Sequence, residues 1–171
     1  GGSGNDYIMA GSGDDSVSGG DGNDRIFSES GSDSLWGGAG DDILQIQGTS
    51  GLAILKGEAG NDDLSTSGGV SSISGDFDGG AGNDKMQGTS AQDIYRLSSG
   101  LDTITEPYPA DAAPLVQDRV VLWAGVTASN VVFERTSVSA YTIKNLLTGD
   151  YTTVRAGANP VGIDRLIEEF Q

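Results

Sequence analysis

The chain has 171 residues, neither cysteine nor histidine, and a net charge of −16 from 25 acidic and nine basic residues. This composition excludes a disulfide framework, thiolate metal sites, histidine zinc ligands and histidine general bases. It also argues against a nucleic-acid partner, which needs a basic surface, and the lack of any run of roughly 18 apolar residues predicts no transmembrane segment.

A nine-residue unit repeats eleven times between residues 1 and 105. It reads G-G-x-G-x-D-x-U-x, where U is apolar, and its clearest copies are residues 1–9, 19–27, 37–45 and 79–87. Nine copies have aspartate at position 6: Asp6, Asp15, Asp24, Asp33, Asp42, Asp62, Asp84, Asp93 and Asp102. The other two have Ala53 and Ser71 there, and the alignment needs insertions at 46–47 and 75–78. The U residues are Ile8, Val17, Ile26, Leu35, Leu44, Leu55, Leu64, Ile73, Met86, Tyr95 and Ile104.

Each unit predicts a glycine-rich turn followed by a short strand. Glycines at positions 1, 2 and 4 allow positive φ and tight turning, which gathers backbone carbonyl groups around one point. The two-residue period of a strand directs U inward and positions 7 and 9 outward. One unit cannot bury its apolar face alone, so we expect two units per coil and coils stacked about 4.8 Å apart through parallel pairing.

Stacking brings like charges together. The aspartate of each copy lies over that of the copy two further on, and two unit charges about 4.8 Å apart repel by roughly 1 kcal/mol in water, and by roughly 3–4 kcal/mol at an effective dielectric near 20. Residues 1–105 carry 17 acidic and four basic residues, so we expect them to be unfolded unless a cation neutralises them. Calcium suits this role because it accepts six to eight oxygen ligands, whereas magnesium demands a small octahedron.

The unit resembles the haemolysin-type calcium-binding nonapeptide repeat of the RTX (repeats-in-toxin) family. That resemblance covers residues 1–105 and implies a right-handed parallel β-roll, an all-β solenoid with two nonapeptides per coil and several calcium ions between adjacent loops on both edges. It implies that the position-6 aspartates are metal ligands. It also implies carbonyl ligands near positions 1 and 3, at Gly1, Ser3, Gly19, Asp21, Gly37, Ala39, Gly57, Ala59, Gly79 and Ala81.

The two edges of the roll should differ. The odd-numbered copies all keep the position-6 aspartate, whereas the even-numbered copies lose it at Ala53 and Ser71, so we expect an intact ladder of sites on one edge and a gap on the other. The segment 75–78 either breaks the register or repairs a site with Asp76 and Asp78. Those two aspartates do not begin an EF-hand loop, since its twelfth position is Gln87 rather than glutamate.

Residues 106–171 have a different pattern. Pro107, Pro109 and Pro114 indicate a loop, and strands are predicted at 118–123, 130–135, 141–147 and 151–156. A helix is predicted at 161–170, and we interpret the whole region as a cap for the open end of the roll. It is similar to the region that follows the repeats in many RTX toxins and enzymes, where an uncleaved type I secretion signal lies near the C-terminus.

The resulting hypothesis is a monomeric calcium-binding module of a secreted bacterial protein. We expect it to be disordered without calcium and to fold after type I secretion, supporting the export and folding of an upstream toxin, enzyme or adhesin. Since Gly1 already lies within a repeat, we expect the chain to be the tail of a longer protein. The chain has no G-x-S-x-G motif and no nucleophile beside a base, so any catalysis would lie upstream.

Two other interpretations concern the surface. An adhesive or ice-binding solenoid needs an outward row of like residues, whereas position 7 is mixed: Tyr7, Ser16, Arg25, Ser34, Ile43. Four outward apolar residues, Met9, Phe27, Trp36 and Ile43, form either a contact patch or, as we favour, scattered surface positions. A flexible glycine-rich linker does not require apolar residues and aspartates at a fixed spacing, so the repeat argues against a linker.

Overall fold

The structure is a computed structural model that describes residues 1–48, 50–67, 72–89, 91–105, 119–121, 131–137, 140–145, 149 and 151–155. The strands of the repeat region are β1 (Gly2–Ser3), β2 (Tyr7–Met9), β3 (Ser16–Asp21), β4 (Arg25–Ser28), β5 (Asp33–Ala39), β6 (Ile43–Gln47), β7 (Ser50–Ala59), β8 (Asp63–Ser67), β9 (Ser72–Ala81), β10 (Lys85–Gln87), β11 (Ile94–Arg96) and β12 (Leu101–Thr105). The strands that follow are β13 (Arg119–Val121), β14 (Val131–Ser137), β15 (Ala140–Asn145) and β16 (Tyr151–Arg155).

Successive strands of the repeat region alternate between two sheets. The first sheet has the order β1-β3-β5-β7-β9-β11-β13, and all its pairs are parallel. The second has the order β2-β4-β6-β8-β10-β12-β16-β15-β14 and is parallel as far as β16. Because two nonapeptides supply one strand to each sheet, the chain is a parallel β-solenoid of about 5 turns, which confirms the predicted roll.

The core consists of two columns of inward side chains, one from each sheet. The second sheet stacks Ile8, Ile26, Leu44, Leu64, Met86 and Ile104 in register. The first sheet stacks Val17, Leu35, Leu55, Phe77, Tyr95 and Val120. All are buried except Ile8 and Val17 in the first coil, which are partly buried. Burying each of these side chains contributes about 1.5–3 kcal/mol to folding.

The predicted register was wrong in one copy. Phe77, not Ile73, pairs with Leu55, and Gly75 pairs with Ala53, so 75–78 is not an insertion and Gly75 holds position 6. Ile73 pairs with Gly51 and is an additional buried residue. The larger side chain takes the column because its ring stacks on Tyr95, with centroids 5.1 Å apart and planes 11° apart. Ser71 lies outside the described residues.

Strands beyond the repeats continue both sheets. β13 pairs in parallel with β11, and β16 pairs in parallel with β12, which places Val154 beside Ile104. The antiparallel β14 and β15 then extend the second sheet, so the four predicted strands of the cap are confirmed. The predicted proline-rich loop and the helix at 161–170 lie outside the described residues. The boundary at 105/106 stays a prediction.

The outer face of the second sheet carries mixed residues. Tyr7 and Met9 are 66% and 65% exposed, and the ring of Tyr7 contacts that of Phe27. Farther along the same face, the positions in line with Tyr7 are occupied by the charged residues Asp63 and Lys85. A flat array of like side chains is therefore not what this face presents. The described residues include no helix with the length and apolarity needed to cross a membrane.

Candidate metal centre

The glycine-rich turns form two rows of loops, which we call the first and second edges. The first edge joins the first sheet to the second and carries the position-6 residues Asp6, Asp24, Asp42, Asp62, Asp84 and Asp102. The second edge joins the second sheet to the first and carries Asp15, Asp33, Ala53, Gly75 and Asp93. The predicted unbroken row of aspartates is therefore on the first edge.

Hydrogen bonds between coils fix the aspartates of the first edge. The Asp24 N–H donates to Oδ1 of Asp42 at 2.7 Å, and Oδ1 of Asp24 accepts the N–H of Asp6 at 2.8 Å. The carbonyl oxygen of Asp24 accepts the N–H of Ile43 at 2.9 Å. The same N–H to Oδ1 contact recurs from Asp42 through to Asp102 at 2.8–3.1 Å. The backbone groups and the Oδ1 atom of these aspartates are thus already hydrogen-bonded to neighbouring coils.

The second carboxylate oxygen is the exception. It is shielded from solvent and has no hydrogen-bond partner in five residues of the first edge, namely the Oδ2 atoms of Asp6, Asp24, Asp42, Asp62 and Asp84. Leaving one buried acceptor unsatisfied costs about 1–3 kcal/mol, and more if it is charged. The ion pair between Arg96 and Asp76 lies away from this row, on the outer face of the first sheet. A repeated buried, unpaired oxygen points to a positively charged partner.

The glycine at position 1 allows each of these oxygens to lie directly against the backbone of its own loop. A Cβ added at Gly19 would overlap Oδ2 of Asp24 and lie 2.6 Å from the carbonyl oxygen of Gly37 in the next coil. Glycine at position 1 is therefore required for space and not, as predicted, for positive φ. Positive φ occurs at positions 2 and 4, for example 117° at Gly20 and 122° at Gly22.

The predicted carbonyl ligands fall into two groups. At position 1, the carbonyl oxygens of Gly19, Gly37 and Gly79 each lie next to the position-1 glycine of the preceding coil, which also contacts Oδ2 of its own aspartate. The strand pairing is interrupted there, since it passes from Lys56–Asp78 to Glu58–Gly80. The position-3 carbonyls of Asp21, Ala39, Ala59 and Ala81 accept N–H groups of the preceding coil at 2.7–2.9 Å. Gly1 and Ser3 hold the same positions in the first coil, in register with the β3 strand.

Burial makes negative charge unfavourable on the first edge. It raises the pKa of Asp62 to about 7, against hydrogen bonding from the Asp42 N–H and with added repulsion from Asp84. Burial likewise raises the pKa of Asp42 and of Asp84. These carboxylates are ionised at neutral pH only at a free-energy cost, which either a proton or a cation relieves.

These donors fit calcium. Among the described residues, no three acidic side chains converge closely enough to hold a metal ion by themselves. A cation on the first edge would therefore combine a carboxylate Oδ2 with backbone carbonyl oxygens, an all-oxygen set without nitrogen or sulfur. Such hard, neutral and anionic oxygens are the ligands that calcium takes in proteins.

Beyond Asp15, the second edge does not offer the same atoms. Oδ2 of Asp33 accepts the Ser28 hydroxyl at 2.8 Å, and Oδ2 of Asp93 accepts the N–H of Thr89 at 2.9 Å. On this edge, Asp15 retains a buried Oδ2 without a partner. Of the two alternatives for segment 75–78, repair of a site by Asp76 and Asp78 is not observed, because both lie on a strand, where Asp76 pairs with Arg96 at 2.7 and 2.8 Å.

A second ladder was missed from the sequence. At position 5 of the first edge, each side-chain oxygen accepts an N–H group from the next coil, at 2.7–3.1 Å, through Asn5, Asn23, Asp41, Asn61 and Asn83. These bonds run in the opposite direction to those at position 6. The signal in the sequence was the recurring Asn or Asp before the position-6 aspartate, which the repeat unit treats as variable.

The family described as RTX calcium-binding nonapeptide repeat matches the chain in four copies, at residues 1–35, 25–45, 45–73 and 74–104. Together these copies cover more than half of the 171 residues and include the loops of both edges. Among curated proteins, no match to the chain was found.

Proposed function

Because the chain belongs to the RTX calcium-binding nonapeptide repeat family, we propose that its roll folds when several calcium ions bind along the first edge. A roll of this family is a structural calcium-binding module and not a catalytic one. The observation that carries the proposal is the row of five buried Oδ2 atoms without hydrogen-bond partners. Each lies against a position-1 glycine, where a Cβ would overlap it.

The ligands we assign are Oδ2 of Asp6, Asp24, Asp42, Asp62 and Asp84, with Asp15 on the second edge. Position-1 carbonyl oxygens complete them, as at Gly37 and Gly79. Bound calcium would supply a positively charged partner for these oxygens. The protein contributes preorganisation, because the backbone and Oδ1 of each aspartate are held by neighbouring coils.

Calcium would control folding through simple linkage. A site filled to ten times its dissociation constant adds about 1.4 kcal/mol to the folded state, so five such sites add about 7 kcal/mol. That is comparable with the whole stability of a typical domain. Without the ion, the region 1–105 keeps its excess of 13 acidic residues and its buried, unpaired oxygens.

We further assign the folded form to the outside of the bacterial cell. Calcium is scarce in the cytosol and abundant outside, so the chain would pass the type I secretion machinery unfolded and fold afterwards. In that role it supports the export and folding of a toxin, enzyme or adhesin to which it is joined. The family membership supports this proposal.

Calorimetric titration of calcium into metal-free protein tests the assignment. The variant is Asp62→Asn, which keeps an acceptor for the Asp42 N–H but replaces the charged Oδ2. Its matched control is Asp63→Asn, the same change at the exposed neighbouring residue. We expect the wild type and D63N to bind equal numbers of ions and D62N to bind at least one fewer. Equal stoichiometry in all three proteins would contradict the assignment.

A further inference from the structure

The two edges differ in what occupies the space beside the position-6 carboxylate. In five copies of the first edge, position 1 is glycine, as at Gly19, and Oδ2 of the following aspartate has no hydrogen-bond partner. On the second edge, Ser28 holds the equivalent position. Its side chain is buried, and its hydroxyl donates to Oδ2 of Asp33 at 2.8 Å.

We propose that the second edge from Asp33 to Asp93 is closed by the protein's own hydrogen bonds and takes no calcium. The Ser28 hydroxyl stands where the first edge needs a cation, although Asp33 and Asp93 carry the aspartate of the family pattern. This inference rests on the proposed function, since it concerns which of the matched repeats bind the ion.

Both carboxylate oxygens of Asp33 already accept hydrogen bonds. Oδ1 accepts the N–H of Asp15 at 2.9 Å, and Oδ2 accepts the Ser28 hydroxyl. A hydroxyl-to-carboxylate hydrogen bond is one of the stronger kinds, because the acceptor is charged. Ser28 also carries a Cβ and an Oγ where the first edge has glycine, and a Cβ at Gly19 would overlap Oδ2 of Asp24.

The coils beyond Asp33 contribute no replacement carboxylate. Ala53 and Gly75 follow it on the second edge, and Ala53 is fully buried. A cation between these coils would have at most one position-6 aspartate within reach. Every coil of the first edge, in contrast, provides such an aspartate. The row of position-6 carboxylates on the second edge is therefore interrupted by an alanine and a glycine.

Asp93 is closed by different groups. The Gly75 N–H donates to its Oδ1 at 2.5 Å, and the Thr89 N–H donates to its Oδ2 at 2.9 Å. A Cβ added at Gly88 would overlap both Oδ2 of Asp93 and the hydroxyl of Tyr95. The space beside this glycine, which a ligand oxygen would need, is thus filled by the tyrosine hydroxyl.

A loss-of-site comparison tests the proposal directly. Asp33→Asn and Asp24→Asn are the same substitution on opposite edges. Calorimetric titration should give D33N the wild-type number of bound ions and D24N at least one fewer. If D33N also loses an ion, the second edge binds calcium and the inference is overturned. If the wild type binds no calcium, the proposed function itself fails, which is a separate result.

A gain-of-site variant tests the role of Ser28. The double variant S28G/A53D removes the hydroxyl from Oδ2 of Asp33 and supplies a carboxylate in the next coil, so we expect one more bound ion than in the wild type. The matched control S28A/A53D keeps a Cβ beside Asp33 and should gain none. Circular dichroism at saturating calcium verifies that both variants fold. Equal stoichiometry of a folded S28G/A53D and the wild type would overturn the assignment of Ser28.

Discussion

At the scale of single residues, one carboxylate oxygen separates the two edges. The repeat pattern identifies Asp24 and Asp33 equally well, yet Oδ2 has no partner in the first and is hydrogen-bonded in the second. The sequence could predict the aspartates because the period fixes their position. It could not predict the role of Ser28. A serine at position 1 is indistinguishable from a degenerate repeat position until its distance to the carboxylate is known.

Glu58 provides a prediction at the same scale. It holds position 2, between Gly38 and Gly80 in the neighbouring coils, with a φ of 75°. This left-handed conformation costs a non-glycine residue about 1 kcal/mol. We expect Glu58→Gly to raise the free energy of unfolding of the calcium-loaded protein by about 0.5–1 kcal/mol, measured by denaturant titration.

The control for this prediction separates backbone strain from charge, because Glu58 also helps to raise the pKa of Asp42. Glu58→Gln removes the charge and keeps the strained backbone, so it should be stabilised less than E58G. Equal gains in E58Q and E58G would show that charge, not conformation, is the cause.

At the scale of strands and loops, the coils are held by two opposed ladders of side-chain hydrogen bonds. Position 6 donates its N–H toward the next coil, whereas position 5 accepts from it. The strands and their inward residues could be predicted from the period. The register of β9 could not, because Ile73 and Phe77 are both apolar candidates for the inward position. In the structure Phe77 pairs with Leu55 and stacks on Tyr95, whereas Ile73 pairs with Gly51.

The position-5 ladder should stabilise the stack without binding the ion. Oδ1 of the exposed Asn23 accepts the N–H of Asp41 at 3.1 Å. We expect Asn23→Ala to lower the free energy of unfolding by about 0.5–1.5 kcal/mol with unchanged calcium stoichiometry. Asn23→Asp keeps the acceptor, as Asp41 does naturally, and should retain most of the stability. A loss in N23D as large as in N23A would argue against this ladder.

At the scale of the whole molecule, negative charge and apolar columns oppose each other. A net charge of −16 disfavours a compact chain, whereas the two inward columns favour one. The strands after residue 118 were predicted from their residue patterns, but their pairing with both sheets was not, because the nine-residue period that sets the register does not extend to them.

This balance predicts a pH dependence in metal-free protein. Burial raises the pKa of Asp62 to about 7, against about 3.9 for an unfolded aspartate, so the folded roll binds protons more tightly than the unfolded chain. That stabilisation is complete below about pH 4 and is lost as the pH rises toward 7. With a chelator present, the β signal in circular dichroism should therefore increase on acidification from about pH 8 to about pH 4. A metal-free spectrum that stays constant over this range would be inconsistent with the raised pKa values.

We propose that the roll folds because a cation binds the buried Oδ2 atoms of the first edge. Far-ultraviolet circular dichroism of the full chain, recorded at neutral pH first with chelator and then with about a millimolar free calcium, tests it most directly. We predict a disordered spectrum with chelator and a cooperative change to a β spectrum with calcium. A β spectrum of the same intensity under both conditions would contradict the claim.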